Sequence, residues 1–273
     1  MAYVRTRLGR WFVEERGTSV RLEDPTLVLL HSLLCDGGMW RNQVGTFAAL
    51  GRVVLIDGPG HGRSEVPPPF TLEDHADALT DAFADLGIHT VIAIGLSWGG
   101  MVAMRLAIKH PSRVQAMVLM DTSADREPRA NALKYRLFAS VGRRLGLAPW
   151  LLDAQVVPLM FAPSTRAERP DLIEDFVRSA HGFPRDGVAR AAKAVVVKRT
   201  SVLERLGEVR VPTLVLCGRE DRAQPPSESE KIARALPEAR LVVIDGAGHL
   251  SALERPVEVN DACMSFLRPL FAR

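Results

Sequence analysis

The sequence predicts an α/β protein with a mostly parallel central sheet, helices on both faces, and a helical segment inserted between two of the strands. Three observations carry that expectation. Six short apolar runs rich in Val, Ile and Leu recur along the chain, helical stretches with start signals lie between them, and the alternation stops once, over residues 123–200.

The runs are Thr26–Leu30 (TLVLL), Val53–Ile56 (VVLI), Val91–Ile94 (VIAI), Val114–Met120 (VQAMVLM), Thr213–Leu216 (TLVL) and Leu241–Ile244 (LVVI). Unbroken apolarity, rather than alternation, marks a strand covered on both faces, as in a parallel sheet. Thr71 with Asp74 reads as a capping box ahead of a helix over 72–86, and Ser227 with Glu230 as another before the next helix. Pro256 stands where a first-turn proline opens the last helix, which carries Val259, Cys263, Phe266 and Leu267 at helical spacing.

From 123 to 200 the pattern is helical, punctuated by Pro128, Pro149, Pro158, Pro163, Pro170 and Pro184. The block reads as a helical cap packed over one edge of the sheet, dividing the chain into a core of 1–122 and 201–273 and a cap of 123–200. It holds 14 Lys and Arg against 8 Asp and Glu, a net of +6, which leaves −3 for the rest of a chain whose formal charge is +3. Solvated helix faces account for such an excess; so would a field favouring anionic substrates in the cleft beneath.

The chain has 273 residues, 47% of them apolar and 25% charged, enough for one large domain with a sizeable core and unlike a disordered chain. Basic residues form no dense run, so no nucleic-acid partner is expected. Cys35, Cys217 and Cys263 lie far apart without metal-ligand spacing and read as reduced thiols. The N-terminal stretch has no signal-peptide core, and the longest uncharged stretch, 90–104, is too short and glycine-broken to span a membrane. A cytoplasmic location follows as the expectation; oligomeric state is left open.

The strongest chemical signal is Gly95-Leu96-Ser97-Trp98-Gly99-Gly100, directly after VIAI and before a helical stretch over 101–110. A serine hydroxyl is a poor nucleophile unless a neighbour takes its proton. A sharp strand-to-helix turn holds it out, and glycines let the backbone pass closely. Of seven histidines, His249 is the best-placed base, in the glycine-rich loop Asp245–His249 after the last strand. His61, in the turn Gly58–Ser64, is the second choice; His75, His89, His110 and His181 read as helix-surface or loop residues. Asp221, just past TLVL, is the acid that would orient the base, with Glu220 and Asp121 as alternatives. Two backbone donors are needed for a developing oxyanion: the Trp98 N–H, and Leu33 N–H from the loop His31–Leu34. No phosphate-binding glycine loop or metal spacing is visible, and neither a cofactor nor a metal is expected.

With HSLL ahead of Trp40, DGPGHGRS, GLSWGG, GRED followed by PP, and GAGH followed by ERP, the chain resembles the α/β-hydrolase superfamily along nearly its whole length. Within it, the sequence is similar to small bacterial esterases and to the 3-oxoadipate enol-lactonase-like group. The resemblance implies the order Ser97, Asp221, His249 as nucleophile, acid and base, and a cap where the insertion lies. A positively charged cap would suit a carboxylate-bearing lactone. One departure is Ser32, where the family's oxyanion loop has His-Gly. Ser97 sets the chain apart from haloalkane dehalogenases and epoxide hydrolases, whose nucleophile is aspartate. The expected function is a cofactor-free serine hydrolase of a small-molecule carboxylic ester or lactone. Three other functions share this framework: a carbon–carbon bond hydrolase of ring-cleavage products, a haloperoxidase-like perhydrolase, and a ligand-binding receptor.

Overall fold

The computed structural model describes residues 1–18, 21, 24–128 and 149–272. Strands β1 (Ala2–Thr6), β2 (Gly9–Arg16), β3 (Thr26–Leu30), β4 (Val53–Ile56), β5 (Val91–Leu96), β6 (Val114–Met120), β7 (Thr213–Gly218) and β8 (Ala239–Ile244) form one sheet in the order β1-β2-β4-β3-β5-β6-β7-β8. Pairing is parallel from β4 through β8; only β1–β2 and β2–β4 are antiparallel. All six apolar runs are strands of this sheet. The leading hairpin was not anticipated, because its strands do not read as apolar runs. Val4, Trp11 and Val13 are buried while Arg5 and Arg10 face water, the half-exposed pattern of an antiparallel edge.

Helices α1 (Val44–Ala48), α2 (Leu72–Asp85) and α3 (Trp98–Lys109) follow β3, β4 and β5. The strand-free block contributes α4 (Val157–Met160), α5 (Pro163–Glu168), α6 (Pro170–Gly182) and α7 (Arg185–Ala192). Helix α8 (Pro226–Ala235) joins β7 to β8, and α9 (Ser251–Glu254) and α10 (Pro256–Phe271) follow β8. The pleat sorts successive strand residues onto two cores. Val28, Leu30, Met117 and Leu119 pack with Leu79 and Phe83 of α2 and with α3; Leu27, Leu29, Val118 and Met120 pack with Phe47 of α1 and Val259, Cys263 and Leu267 of α10. Each such side chain contributes about 1.5–3 kcal/mol on burial.

Thr71 and Asp74 form the expected capping box, the Asp74 carboxylate accepting from Thr71 N–H at 2.8 Å and the Thr71 hydroxyl from Asp74 N–H at 3.1 Å. The Ser227–Glu230 box does not form. Pro226 already occupies the first turn of α8, so Ser227 lies inside the helix and faces solvent.

Residues 149–197 hold helices and helical turns and no strand; the part of the predicted cap at 129–148 lies outside the described residues. Two features fasten these helices to the sheet's loops. Gly187 of α7 meets Gly60 so closely that a Cβ on Gly60 would lie 2.5 Å from the Gly187 Cα. At the end of α4, the Met160 carbonyl accepts from the N–H groups of His249 and Leu250 at 3.1 and 3.2 Å.

Candidate active site

The chain reverses direction across the sheet at β3: β4 lies on one side of it, β5 and every later strand on the other. The crevice at the carboxyl ends of β3 and β5 is where open α/β sheets place their ligands. Ser97 is the one residue between β5 and α3, with φ +53° and ψ −112°, a strained conformation for a side chain with a Cβ. Its surroundings leave no other path. A Cβ on Gly95 would lie 2.3 Å from the Gly99 carbonyl carbon, and one on Gly99 would lie 2.1 Å from the Leu30 carbonyl oxygen. Ser97 N–H donates to Met120 O at 2.8 Å, and the Thr122 hydroxyl donates to Ser97 O at 2.7 Å.

His249 Nε2 lies 2.8 Å from Ser97 Oγ, and its Nδ1 lies 2.8 Å from Asp221 Oδ2. All three are buried. The other Asp221 oxygen accepts from the N–H groups of Ala223 and Gln224 at 2.8 and 2.9 Å. An ionised carboxylate only accepts, so Nδ1 carries the hydrogen and the Nε2 lone pair faces the Ser97 hydroxyl. Burial opposes charging the ring, but the attraction of Asp221, aided by Asp121 and Glu254, outweighs it and raises the His249 pKa above its ordinary value.

The His249 loop has a carboxylate beneath it. Glu254 is buried and accepts from Gly248 N–H at 2.9 Å, Leu250 N–H at 3.2 Å and Ala162 N–H at 2.8 Å. Burial raises its pKa, against the lowering effect of these bonds. Nothing in the sequence marks this role beyond the place of Glu254 in the ERP motif.

The alternative residues lie elsewhere. His61 Nδ1 is 3.4 Å from Pro59 O and its Nε2 is 3.4 Å from Leu34 N, so it braces the loop; burial and the nearby His31 push its pKa down to about 3. Glu220 is exposed. Asp121, at φ +47°, accepts from Gly218 N–H at 2.7 Å and takes the Ser251 hydroxyl on its other oxygen, joining the loops of Asp221 and His249 from below. Burial, then the Asp221 charge, raises its pKa well above the carboxylate range. His75 differs from the surface residue expected: it is buried on the inner face of α2 between Trp11 and Trp98.

Of the two residues expected to supply oxyanion donors, Leu33 lines the same cavity as Ser97 and Trp98 follows Ser97 in the chain. Neither Leu33 N–H nor Trp98 N–H has a backbone acceptor among the described residues, and Trp98 N–H lies at the start of α3, where the helix dipole favours negative charge. His31 anchors the Leu33 loop, its Nδ1–H donating to Ser32 O and its Nε2 accepting from Gly58 N–H, both at 2.7 Å. The positive φ of this loop falls on Leu34, at +64°, and not on Ser32. The Trp98 indole is buried among His31, His61, Phe70 and His75, whereas Leu33 borders the cavity.

That cavity measures about 280 Å³ and opens onto Ser97 and His249. Most of its wall comes from the strand-free block, including Val156, Met160, Phe183, Val188 and Val195, with Arg185, Arg199, Glu127 and Gln224 as polar members. Among the described residues no three His, Cys, Asp or Glu side chains converge as a metal site requires.

Residues 25–256 match the model of the alpha/beta hydrolase fold family. The chain belongs to that family. An esterase from Thermogutta terrifontis, solved with malate bound, superposes with a TM-score of 0.91 at 30% identity, covering 100% of both chains. The enol-lactonase of Burkholderia xenovorans superposes with a TM-score of 0.90 at 26% identity over 98% of this chain and 100% of that one. The 3-oxoadipate enol-lactonase 1 of Acinetobacter baylyi is 28% identical over 248 residues, 90% of each chain. The mostly parallel sheet and the likeness to esterases and enol-lactonases agree with the sequence-based expectation. No described helix is long and apolar enough to cross a membrane.

Proposed function

We propose that this alpha/beta hydrolase cleaves a small carboxylic ester or lactone through an acyl-enzyme on Ser97. The observation that carries the reading is the chain of 2.8 Å contacts from Ser97 Oγ through His249 to Asp221, opening into a closed-in, largely apolar cavity. As the Ser97 oxygen bonds to the carbonyl carbon, its proton passes to His249 Nε2, and Asp221 stabilises the imidazolium. The carbonyl oxygen takes the negative charge against Leu33 and Trp98 N–H; loss of one such donor costs about 3 kcal/mol of transition-state stabilisation. His249 then protonates the leaving oxygen, and the same sequence with water releases the acid.

The block 123–200 acts as the cap that shapes the acyl pocket, a role supported by the residues it gives to the cavity wall. Among the described residues, the net positive charge expected to favour anions is not matched by an unpaired buried cation in the cavity. Among the described lining residues Arg199 is paired with Glu127, and Arg185 is exposed; Arg129, Lys134, Arg136, Arg143 and Arg144 lie outside the described residues. Three buried free thiols fit a cytoplasmic protein.

A panel of p-nitrophenyl esters of increasing chain length, with several lactones, tests the reading on wild type and Ser97→Ala. Turnover is expected to vanish in the variant, and a fluorophosphonate probe should label Ser97 alone. A variant that keeps most of the wild-type rate overturns the proposal.

A further inference from the structure

We propose that Thr122 is a positioning residue for the oxyanion hole: its hydroxyl grips the carbonyl of the Ser97–Trp98 peptide from behind and thereby aims the Trp98 N–H at the substrate. The inference rests on the ester or lactone hydrolase reading and adds a residue to that reaction. Thr122 is fully buried, two residues past the end of β6, and β6 pairs with β5, the strand that ends one residue before Ser97. Its hydroxyl donates to Ser97 O at 2.7 Å, and Ser97 O also accepts from Met101 N–H at 3.0 Å, the first hydrogen bond of α3. A carbonyl has two lone pairs, so both donors are accommodated. The peptide that follows Ser97 is planar and trans, so its N–H points away from the carbonyl that Thr122 holds. That N–H belongs to Trp98, has no backbone acceptor, and is one of the two donors proposed for the oxyanion. Fixing one edge of the peptide fixes the direction of the other. A hydrogen bond at the carbonyl also polarises the amide and strengthens its N–H as a donor.

Ser97 sits at φ +53° and ψ −112°, a backbone conformation that persists only where neighbours enforce it. The end of β6 supplies polar anchors on both sides of this residue: Met120 O accepts from Ser97 N–H at 2.8 Å, and Thr122 takes the Ser97 carbonyl. The Thr122 side chain is itself locked. A Cβ on Gly100 would lie 2.8 Å from Thr122 Cβ and Cγ2, so Thr122 lies flush against the first turn of α3. Any side chain at position 100 would push Thr122 off Ser97 O, which gives a reason for the glycine beyond the five-residue GLSWG motif. The hydroxyl has a single hydrogen, and Ser97 O receives it. Thr122 therefore acts on the nucleophile turn and not on the proton held by His249.

The experiment compares Thr122→Val, which keeps the shape and removes the hydroxyl, with Thr122→Ser, which keeps the hydroxyl, on p-nitrophenyl butyrate. Thr122→Val should lower kcat by about 10-fold with KM changed by less than about twofold, because the donor matters only once the oxyanion forms. Loss of the whole donor, about 10²–10³-fold, is the upper bound. Thr122→Ser should recover most of the lost kcat. The acid limb of kcat/KM should stay at its wild-type position, since His249 keeps both of its partners. Affinity for an alkylboronic acid, which forms a tetrahedral adduct on Ser97, should fall in parallel with kcat/KM. In wild type labelled with nitrogen-15 tryptophan, that adduct should move the Trp98 backbone amide proton downfield, a measurement that holds even where a variant fails to fold. An unchanged kcat in Thr122→Val, a change carried by KM alone, or an equal loss in Thr122→Ser overturns the proposal. So does a shifted acid limb, or a Trp98 amide indifferent to the adduct. Any of these results with ester turnover intact in wild type defeats the role of Thr122 alone, whereas absence of turnover on every ester defeats the hydrolase reading.

Discussion

Replacing Asp221 by Asn changes one atom, and the surrounding donors dictate which way the new amide turns. Ala223 and Gln224 N–H both point at Oδ1, so the amide oxygen must stay there and the NH₂ must face His249 Nδ1. Nδ1 then accepts, the ring hydrogen moves to Nε2, and the Ser97 hydroxyl meets a donor instead of a base. Turnover should fall by about 10⁴-fold, the loss associated with this tautomer error in serine triads. The titration should move as well. In wild type the Asp221 charge outweighs burial and holds the imidazolium pKa up, so the acid limb of kcat/KM lies above the ordinary value of about 6.5. With the charge gone and the burial unchanged, the limb should shift downward, below about 6.5. The assay is kcat/KM for p-nitrophenyl butyrate between about pH 5 and 9. A variant within tenfold of wild type, or one whose acid limb stays in place, refutes the reasoning.

Burial and the Asp221 charge push the Asp121 pKa well above its ordinary value, so Asp121→Asn, which keeps an acceptor for Gly218 N–H and removes the titrating group, should change stability by only about 1 kcal/mol at low pH. Because the unfolded acid ionises first, near pH ~3.9, wild type loses stability as pH rises toward the folded pKa, and the variant does not. Urea titrations should show the variant gaining on wild type with increasing pH; the opposite trend disproves a raised Asp121 pKa. Glu254→Ala strands the N–H groups of Ala162 and Gly248, Leu250 N–H keeping the Met160 carbonyl, and should cost about 2 kcal/mol or more, with Glu254→Gln between it and wild type. Equal urea midpoints for the alanine variant and wild type count against that role. Burial pushes the thiols of Cys217 and Cys263 up to about 11 and about 12, and that of Cys35 higher still. A disulfide-exchange dye should therefore label none in the folded protein and all three after denaturation; prompt labelling of the folded state would contradict the burial.

The parts of the molecule legible in the sequence are those whose signal is local. TLVLL, VVLI and VIAI announce doubly covered strands because five or fewer adjacent side chains carry the pattern. Ser97, Asp221 and His249 each stand just beyond such a run, where a loop at a strand's carboxyl end must be, so their convergence could be anticipated. The hairpin Ala2–Arg16 also carries a local signal, charged and apolar residues in alternation, but it is the pattern of a half-exposed edge and not of the central sheet. Ser227 shows local logic misleading in another way, since a capping pair one residue inside a proline start has no free N–H to cap. Asp121 and Arg199 owe their roles to partners 97 and 72 residues away, and Glu254, though close in sequence to Gly248 and Leu250, ties them to Ala162, 92 residues away. No window of sequence contains those pairs.

The Met160 carbonyl and the Glu254 carboxylate bolt one corner of the cavity wall to the segment bearing His249. A protein that admitted its guest by lifting that corner would disarm its own imidazole at every cycle. Traffic to Ser97 therefore belongs to the rest of the wall, and substitutions that loosen 157–162 should slow turnover before they weaken binding.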